Sequence, residues 1–386
     1  MQEQALFAAI TDVIKKEVYS NATDFIPLHA PVFQGNEKKY LCETIDSTFV
    51  SSVGEFVNQV EIQLAEFTGA RFAIATGNGT LALHAALILA GVEQNTEVIT
   101  QPLSFVATGN AILYCKARPV FVDVDKDTAS LSPESLLRFL NQNALITNDG
   151  TCLNKNSGAR ISACVPMHSF GFTGRIGEIA DICKNWNIPL VEDSAESLGS
   201  YLGNIHTGRF GQLGVLSFNG NKTITCGGGG AILTDSETLA KKAKHITTTA
   251  KVPHKWEFFH DELGYNYRMP NLNAALLVAQ LEQLPHFLSN KAETAALYKK
   301  HFSNLNIQLL QPLEGTTANY WLNTLIFENK EQRDGFLQYS NNNGVMTRPA
   351  WTLMNKMPAF SQSLVFETEN AQWLEDRLVN IPSSVR

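Results

Sequence analysis

Ser217-Phe218-Asn219-Gly220-Asn221-Lys222-Thr223-Ile224-Thr225-Cys226-Gly227-Gly228-Gly229-Gly230 sets one lysine between the end of an apolar strand and a run of four glycines. An ordinary surface lysine sits on a charged helical face; Lys222 has only small polar and glycine neighbours. About thirty residues upstream, Pro189-Leu190-Val191-Glu192-Asp193-Ser194-Ala195-Glu196 is an apolar strand that ends in acid. An amine that forms a Schiff base and a buried carboxylate that keeps a pyridinium nitrogen protonated are the pair that pyridoxal phosphate chemistry requires. Taken by itself, Asp193 also fits a helix N-cap carboxylate.

Working outward, β-rich runs alternate with helical patterns between residues 70 and 235. Strands are expected at 71–76, 97–101, 119–124, 161–167, 189–192, 215–218 and 231–234. Helices are expected at 80–90, 105–114 and 176–186. This alternation implies βαβ units and a mostly parallel sheet covered on both faces. Ligands of such sheets bind beyond the carboxyl ends of the strands, where Asp193 and Lys222 both fall. The polar stretch 141–158 reads as a surface excursion. After Pro285 the pattern changes to a helix at 290–304, a strand at 320–327 and a helix at 332–342. The expected division is an N-terminal segment with a large domain over 1–284 and a small α+β domain over 285–386.

The bulk numbers fit an enzyme of two domains. The 386 residues are 44% hydrophobic and 17% charged, with a formal charge of −7, and exceed what one core usually supports. No basic block stands out, so nucleic acid is not an expected partner. The six cysteines have no Cys-x-x-Cys pairing and read as reduced, buried thiols without a metal. Residues 1–20 lack the basic-then-apolar order of a signal peptide, and no apolar run reaches membrane length. A cytoplasmic protein is expected.

Further segments carry weaker signals. Thr76-Gly77-Asn78-Gly79-Thr80 opens a helix, where glycines and free amides favour a phosphate; it also fits a plain turn with Thr80 as N-cap. Phe105 follows a strand end, placed to stack on a ring or to join the core. His168 ends another strand, as a wall of the site or as a packed histidine. Ser217 offers a hydroxyl to a phosphate. Gly264-Tyr265-Asn266-Tyr267-Arg268-Met269-Pro270 is a polar-aromatic loop with Arg268 available for an anion.

In this order the segments resemble the DegT-type nucleotide-sugar aminotransferases, pyridoxal phosphate enzymes of the aspartate-aminotransferase fold (fold type I). The resemblance spans residues 25–382. It implies an α/β large domain with a mostly parallel seven-stranded sheet and a smaller α+β C-terminal domain. Phe25-Ile26-Pro27-Leu28-His29, Phe33-Gln34-Gly35-Asn36-Glu37 and Phe49-Val50-Ser51-Ser52-Val53-Gly54 resemble the branch that makes 4-amino-4,6-dideoxy sugars, as in perosamine and legionaminic acid pathways.

Carried over by motif position, the resemblance implies that Lys222 forms the Schiff base and shuttles the proton. It further implies that Asp193 pairs with the pyridine nitrogen, Glu196 meets the ring hydroxyl region and Phe105 stacks on the ring. Gly79, Thr80 and Ser217 would bind the phosphate. His168 and Asn219 complete the cofactor set, and Asn266 would reach the neighbouring subunit's phosphate, so a homodimer with shared sites is expected. Two positions depart from the family's usual residues: Glu196 stands for glutamine and Asn219 for histidine. The implied reaction moves an amino group from an amino acid, glutamate, to C4 of a nucleotide-linked 4-keto-6-deoxy sugar, for surface polysaccharide or glycan biosynthesis. The competing readings are a sugar dehydratase, which in a side lineage carries histidine in place of the lysine, and a non-catalytic regulator that binds the same cofactor.

Overall fold

The structure, a computed structural model, describes residues 2–22 and 24–386. Its centre is one twisted sheet. Strand Phe72–Thr76 pairs antiparallel with Gly230–Thr234, which pairs antiparallel with Leu213–Ser217; that strand runs parallel to Val191–Asp193. Bridges Cys164↔Leu190 and Met167↔Asp193 join this half to Ile161–Val165. The parallel strands Glu97–Thr100 and Arg118–Val122 follow in turn. These seven strands are the expected sheet, with Gly230–Thr234 the antiparallel member. An eighth, Leu364–Phe366, returns from the C-terminal region and lies parallel to Arg118–Val122. It covers an edge that would otherwise expose unpaired backbone groups.

Both faces of the sheet are apolar because successive strand residues point to opposite sides. Ile74 and Val98 face helices Gly79–Leu89, Val106–Tyr114 and Glu237–Thr247 through Ala82, Ala111 and Ala243. Ala73 and Ala75 face Leu64 of helix Glu55–Thr68 and Leu277 of helix Asn271–Phe302. Ile99 and Val120 meet Phe139 of helix Pro133–Asn143 and Ile179 of helix Ile176–Asn185.

Some local expectations change. Stretch 141–158 folds into a hairpin, Ala144–Ile146 against Cys152–Asn154. The helix expected at 290–304 begins instead at Asn271 and runs through Pro285 to Phe302 without a break. A proline inside a helix costs about 3 kcal/mol. Buried Leu281, Leu284 and Phe287 each offset about 1.5–3 kcal/mol of that by leaving water, so packing wins. All six cysteines are free, but Cys42 is exposed where buried thiols were expected.

The C-terminal region adds an antiparallel sheet in the order Gln308–Leu309, Asn323–Ile326, Leu378–Ile381, Arg348–Pro349. Helix Lys330–Asn342 packs on it through Phe336, and Phe7, Ile10 and Ile14 from the N-terminal helical segment share that core. Among the described residues no helix is long and apolar enough to cross a membrane.

Candidate active site

The parallel strands deliver their carboxyl ends to a cavity of about 540 Å³, a size suited to a small ligand. Gly79, Thr80, Phe105, Asp193, Glu196, Ser217, Asn219 and Lys222 all line it. His168 and Asn266 do not. The His168 ring is buried one residue beyond Met167, with Nε2 3.0 Å from Glu192 Oε2. Asn266 is exposed, and its Oδ1 accepts from Arg268 Nε at 2.9 Å.

Glu192 explains how the strand end is held. Its two oxygens accept from the amides of Gly208, Phe210 and Gly211 and face His168. Side chains alternate along a strand, so fixing Glu192 on one side fixes Asp193 on the other. Asp193 is 4% exposed. Its Oδ2 accepts from Thr108 Oγ1 at 2.7 Å and its Oδ1 from the Ala195 amide at 3.2 Å. Ser104 lies 2.9 Å from Thr108 Oγ1 and extends the network. No described residue gives Asp193 a cation, although a buried carboxylate ordinarily has one.

The glycine turn is built differently from the plain capped turn. Asn78, not Thr80, is the N-cap: it has extended backbone and accepts from the Leu81 amide at 2.9 Å. The helix therefore starts at Gly79, and the Gly79 and Thr80 amides belong to the first turn, which a helix leaves without internal partners. A Cβ on Gly79 would lie 2.8 Å from Ser217 Cβ and 3.0 Å from its Oγ. Free amides, a positive helix end and a facing hydroxyl make a site for a phosphate.

Lys222 Nζ lies 3.2 Å from Glu196 Oε1, and Glu196 Oε2 accepts from the Phe170 amide at 2.9 Å. Burial raises the Glu196 pKa from 4.5 to about 7, against the opposing pull of Lys222. Glu196 can thus hold or release a proton near neutral pH beside the lysine.

Sequence reasoning missed the opposite wall. Trp321 and Trp351 line the cavity with Tyr114. The Trp321 ring lies under Lys222 Nζ, 4.2 Å from its centroid, and Trp351 stacks on Phe170 at 4.9 Å. Asn319 ties this wall to the lysine side: Nδ2 donates to the Glu196 carbonyl at 2.8 Å, and Oδ1 accepts from the Trp321 amide at 2.8 Å. The residue types alone gave no signal for this, because a tryptophan beside a strand reads as core.

The sequence profile of the DegT/DnrJ/EryC1/StrS aminotransferase family matches residues 31–386. GDP-perosamine synthase of Escherichia coli O157:H7 is 33% identical over 361 residues, 93% of each chain. GDP-perosamine synthase of Vibrio cholerae is 32% identical over 363 residues, 93% of this chain and 94% of its own. Among solved structures, the aminotransferase TlmJ from Streptoalloteichus hindustanus matches with a TM-score of 0.84 at 25% identity, covering 93% of each chain. Helicobacter pylori PseC, an aminotransferase of pseudoaminic acid biosynthesis, shares the fold, with a TM-score of 0.84 at 22% identity over 93% of this chain and 94% of its own.

Proposed function

We propose, because the chain belongs to the DegT/DnrJ/EryC1/StrS aminotransferase family, that it moves an amino group from glutamate to C4 of a nucleotide-linked 4-keto-6-deoxy sugar. It does so in the cytoplasm as a homodimer, with pyridoxal phosphate as cofactor. The observation that carries the reading is Asp193, a buried carboxylate at the cavity with hydrogen bonds from Thr108 and Ala195 and no cation of its own. A protonated ring nitrogen would be the missing partner. The Gly79–Thr80 turn with Ser217 suits the phosphate, and Lys222 supplies the amine. The named GDP-perosamine synthases support a nucleotide-linked sugar as acceptor.

When bound, pyridoxal phosphate supplies an electron sink for the charge that develops at a carbon losing its proton. The chain's own residues do the rest. Asp193, held by the Thr108 hydroxyl and the Ala195 amide that donate to it, would meet the ring nitrogen from its buried strand end. Lys222 Nζ, once free as an amine, takes the proton from the donor's α-carbon and in the second half-reaction returns one to C4 of the sugar. Glu196, 3.2 Å away, steadies the ammonium between the two transfers. Phe105, Tyr114, Trp321 and Trp351 offer apolar faces for the rings that enter.

Support for the dimer is the exposed apolar surface. Trp256 is 72% and Phe258 80% exposed, with Phe259 and Leu263 beside them; such patches mark protein interfaces. Exposed Asn266 lies on the strand-like segment that follows this patch, which agrees with a role in the partner's site.

The test is the colour of the purified protein with pyridoxal phosphate, before and after glutamate, in wild type and Lys222→Ala. Wild type should turn yellow, bleach with glutamate and recover with a suitable 4-keto nucleotide sugar, while Lys222→Ala should do none of these. A wild type that takes up no cofactor refutes the reading. One that turns yellow but ignores every amino donor refutes the transfer.

A further inference from the structure

Helix Asn271–Phe302 carries a lysine that the chemistry above does not use. Lys291 is 1% exposed. Its Nζ donates to the Ser383 and Trp321 carbonyls, the latter at 3.3 Å, and lies 3.0 Å from His29 Nε2. These acceptors are all neutral. Burial lowers its pKa to about 7 with no carboxylate to offset the fall. An ammonium in such a place is costly, so its contacts call for an explanation.

The contacts lead to the reactive lysine. Lys291 grips the Trp321 carbonyl, while Asn319 accepts from the Trp321 amide at 2.8 Å. The indole Nε1 donates to the Asn221 carbonyl at 2.6 Å, one residue before Lys222. The same indole carries Lys222 Nζ on its face at 4.2 Å, a cation–π distance. His29, whose Nε2 faces Lys291, is buried with its Nδ1 unpartnered; burial lowers its pKa, and the positive charges of Lys291 and Lys222 lower it further.

We propose that Lys291 is a positioning residue for Lys222: by holding the Trp321 carbonyl it fixes the indole on which the Lys222 ammonium rests. This rests on the reading above that Lys222 is the reactive amine. Loss of the grip frees the indole, and the ammonium loses its face.

The test is reductive methylation of the cofactor-free protein with formaldehyde and cyanoborohydride at pH 8, with Lys222 followed by peptide mass spectrometry. Lys16, an exposed lysine, is the internal reference. Only the free amine reacts, so loss of a ring contact worth a cation–π interaction should speed Lys222 labelling about two- to fivefold in Lys291→Met. Trp321→Leu should give the same increase, and the double variant no more, because both changes remove one contact. If Lys291→Met does not fold, Lys291→Arg serves, since a planar head cannot keep all three acceptors, and it too should label faster.

Labelling of a folded Lys291 variant at the wild-type rate overturns the proposal. So does slower labelling, the sign expected if Lys291 acted only as a like charge, and so does additivity in the double variant. Cofactor uptake by the same preparations separates the two claims: uptake with unchanged labelling refutes this inference alone, and no uptake refutes the reading of the site on which it rests.

Discussion

Replacing Glu196 by glutamine should remove a specific pH dependence of stability. Burial raises the Glu196 pKa from 4.5 to about 7. Between these values the native protein keeps a proton that the unfolded chain has released. Acid therefore favours the native state in this window, and the Glu196 contribution is lost as the pH rises through it. A shift of this size, at about 1.36 kcal/mol per unit, amounts to roughly 3 kcal/mol. Unfolding entropy near 2.1 cal/mol/K per residue gives a chain of this length about 0.8 kcal/mol/K, so the effect is about 4 °C in Tm.

Glutamine at 196 does not titrate. Its amide oxygen can still accept from the Phe170 amide, leaving an NH2 group opposed to Lys222 Nζ. That clash lowers stability at every pH and drops out of the comparison. The assay is the thermal midpoint of cofactor-free wild type and Glu196→Gln from pH 4 to pH 8, which spans both pKa values. The variant should gain about 4 °C on wild type across that range, whatever its starting offset. Parallel curves would refute the account of Glu196 as a buried group that ionises near neutrality.

Gly79→Ala puts a methyl group 2.8 Å from Ser217 Cβ, so cofactor affinity should fall about five- to 150-fold from a misplacement costing about 1–3 kcal/mol; an unchanged Kd in a spectroscopic titration counts against the phosphate site. Thr108→Val removes the donor to Asp193 Oδ2. The cofactor-free protein should lose about 1.5–3 kcal/mol, and saturating pyridoxal phosphate should restore part of it by giving the carboxylate a cation; an equal loss with and without cofactor argues against Asp193 as its partner. Trp256→Glu combined with Phe258→Glu should turn a dimer into a monomer in sedimentation velocity. A wild type that already sediments as a monomer removes the shared-site proposal.

The sheet and the lysine loop at the cavity were legible because their signals are local. A lysine among glycines, and an aspartate at the end of Leu190 and Val191, announce themselves within a few residues. The helix boundary at Asn78 was not legible, since asparagine and threonine both cap and only the backbone angles choose between them. The break expected at Pro285 failed for another reason: local propensity lost to the burial of Leu281, Leu284 and Phe287. Trp321, Trp351 and Asn319 were invisible because their partners lie far away in sequence. Asn319 meets Glu196 across 123 residues, and no spacing rule reaches that far.

That distance has a physical consequence. Asn319 Nδ2 donates to the Glu196 and Leu198 carbonyls, and Oδ1 accepts from the Trp321 amide. Ser200 Oγ accepts from the Asn319 amide at 3.0 Å. All of these groups are buried. Moving the tryptophan wall away from the lysine side would orphan several of them at about 1–3 kcal/mol each, more than a loosely bound ligand returns. Trp321 therefore stays in place while ligands come and go. Lys222 Nζ is thereby held between a fixed indole face at 4.2 Å and the Glu196 carboxyl at 3.2 Å, whose pKa burial raises to about 7.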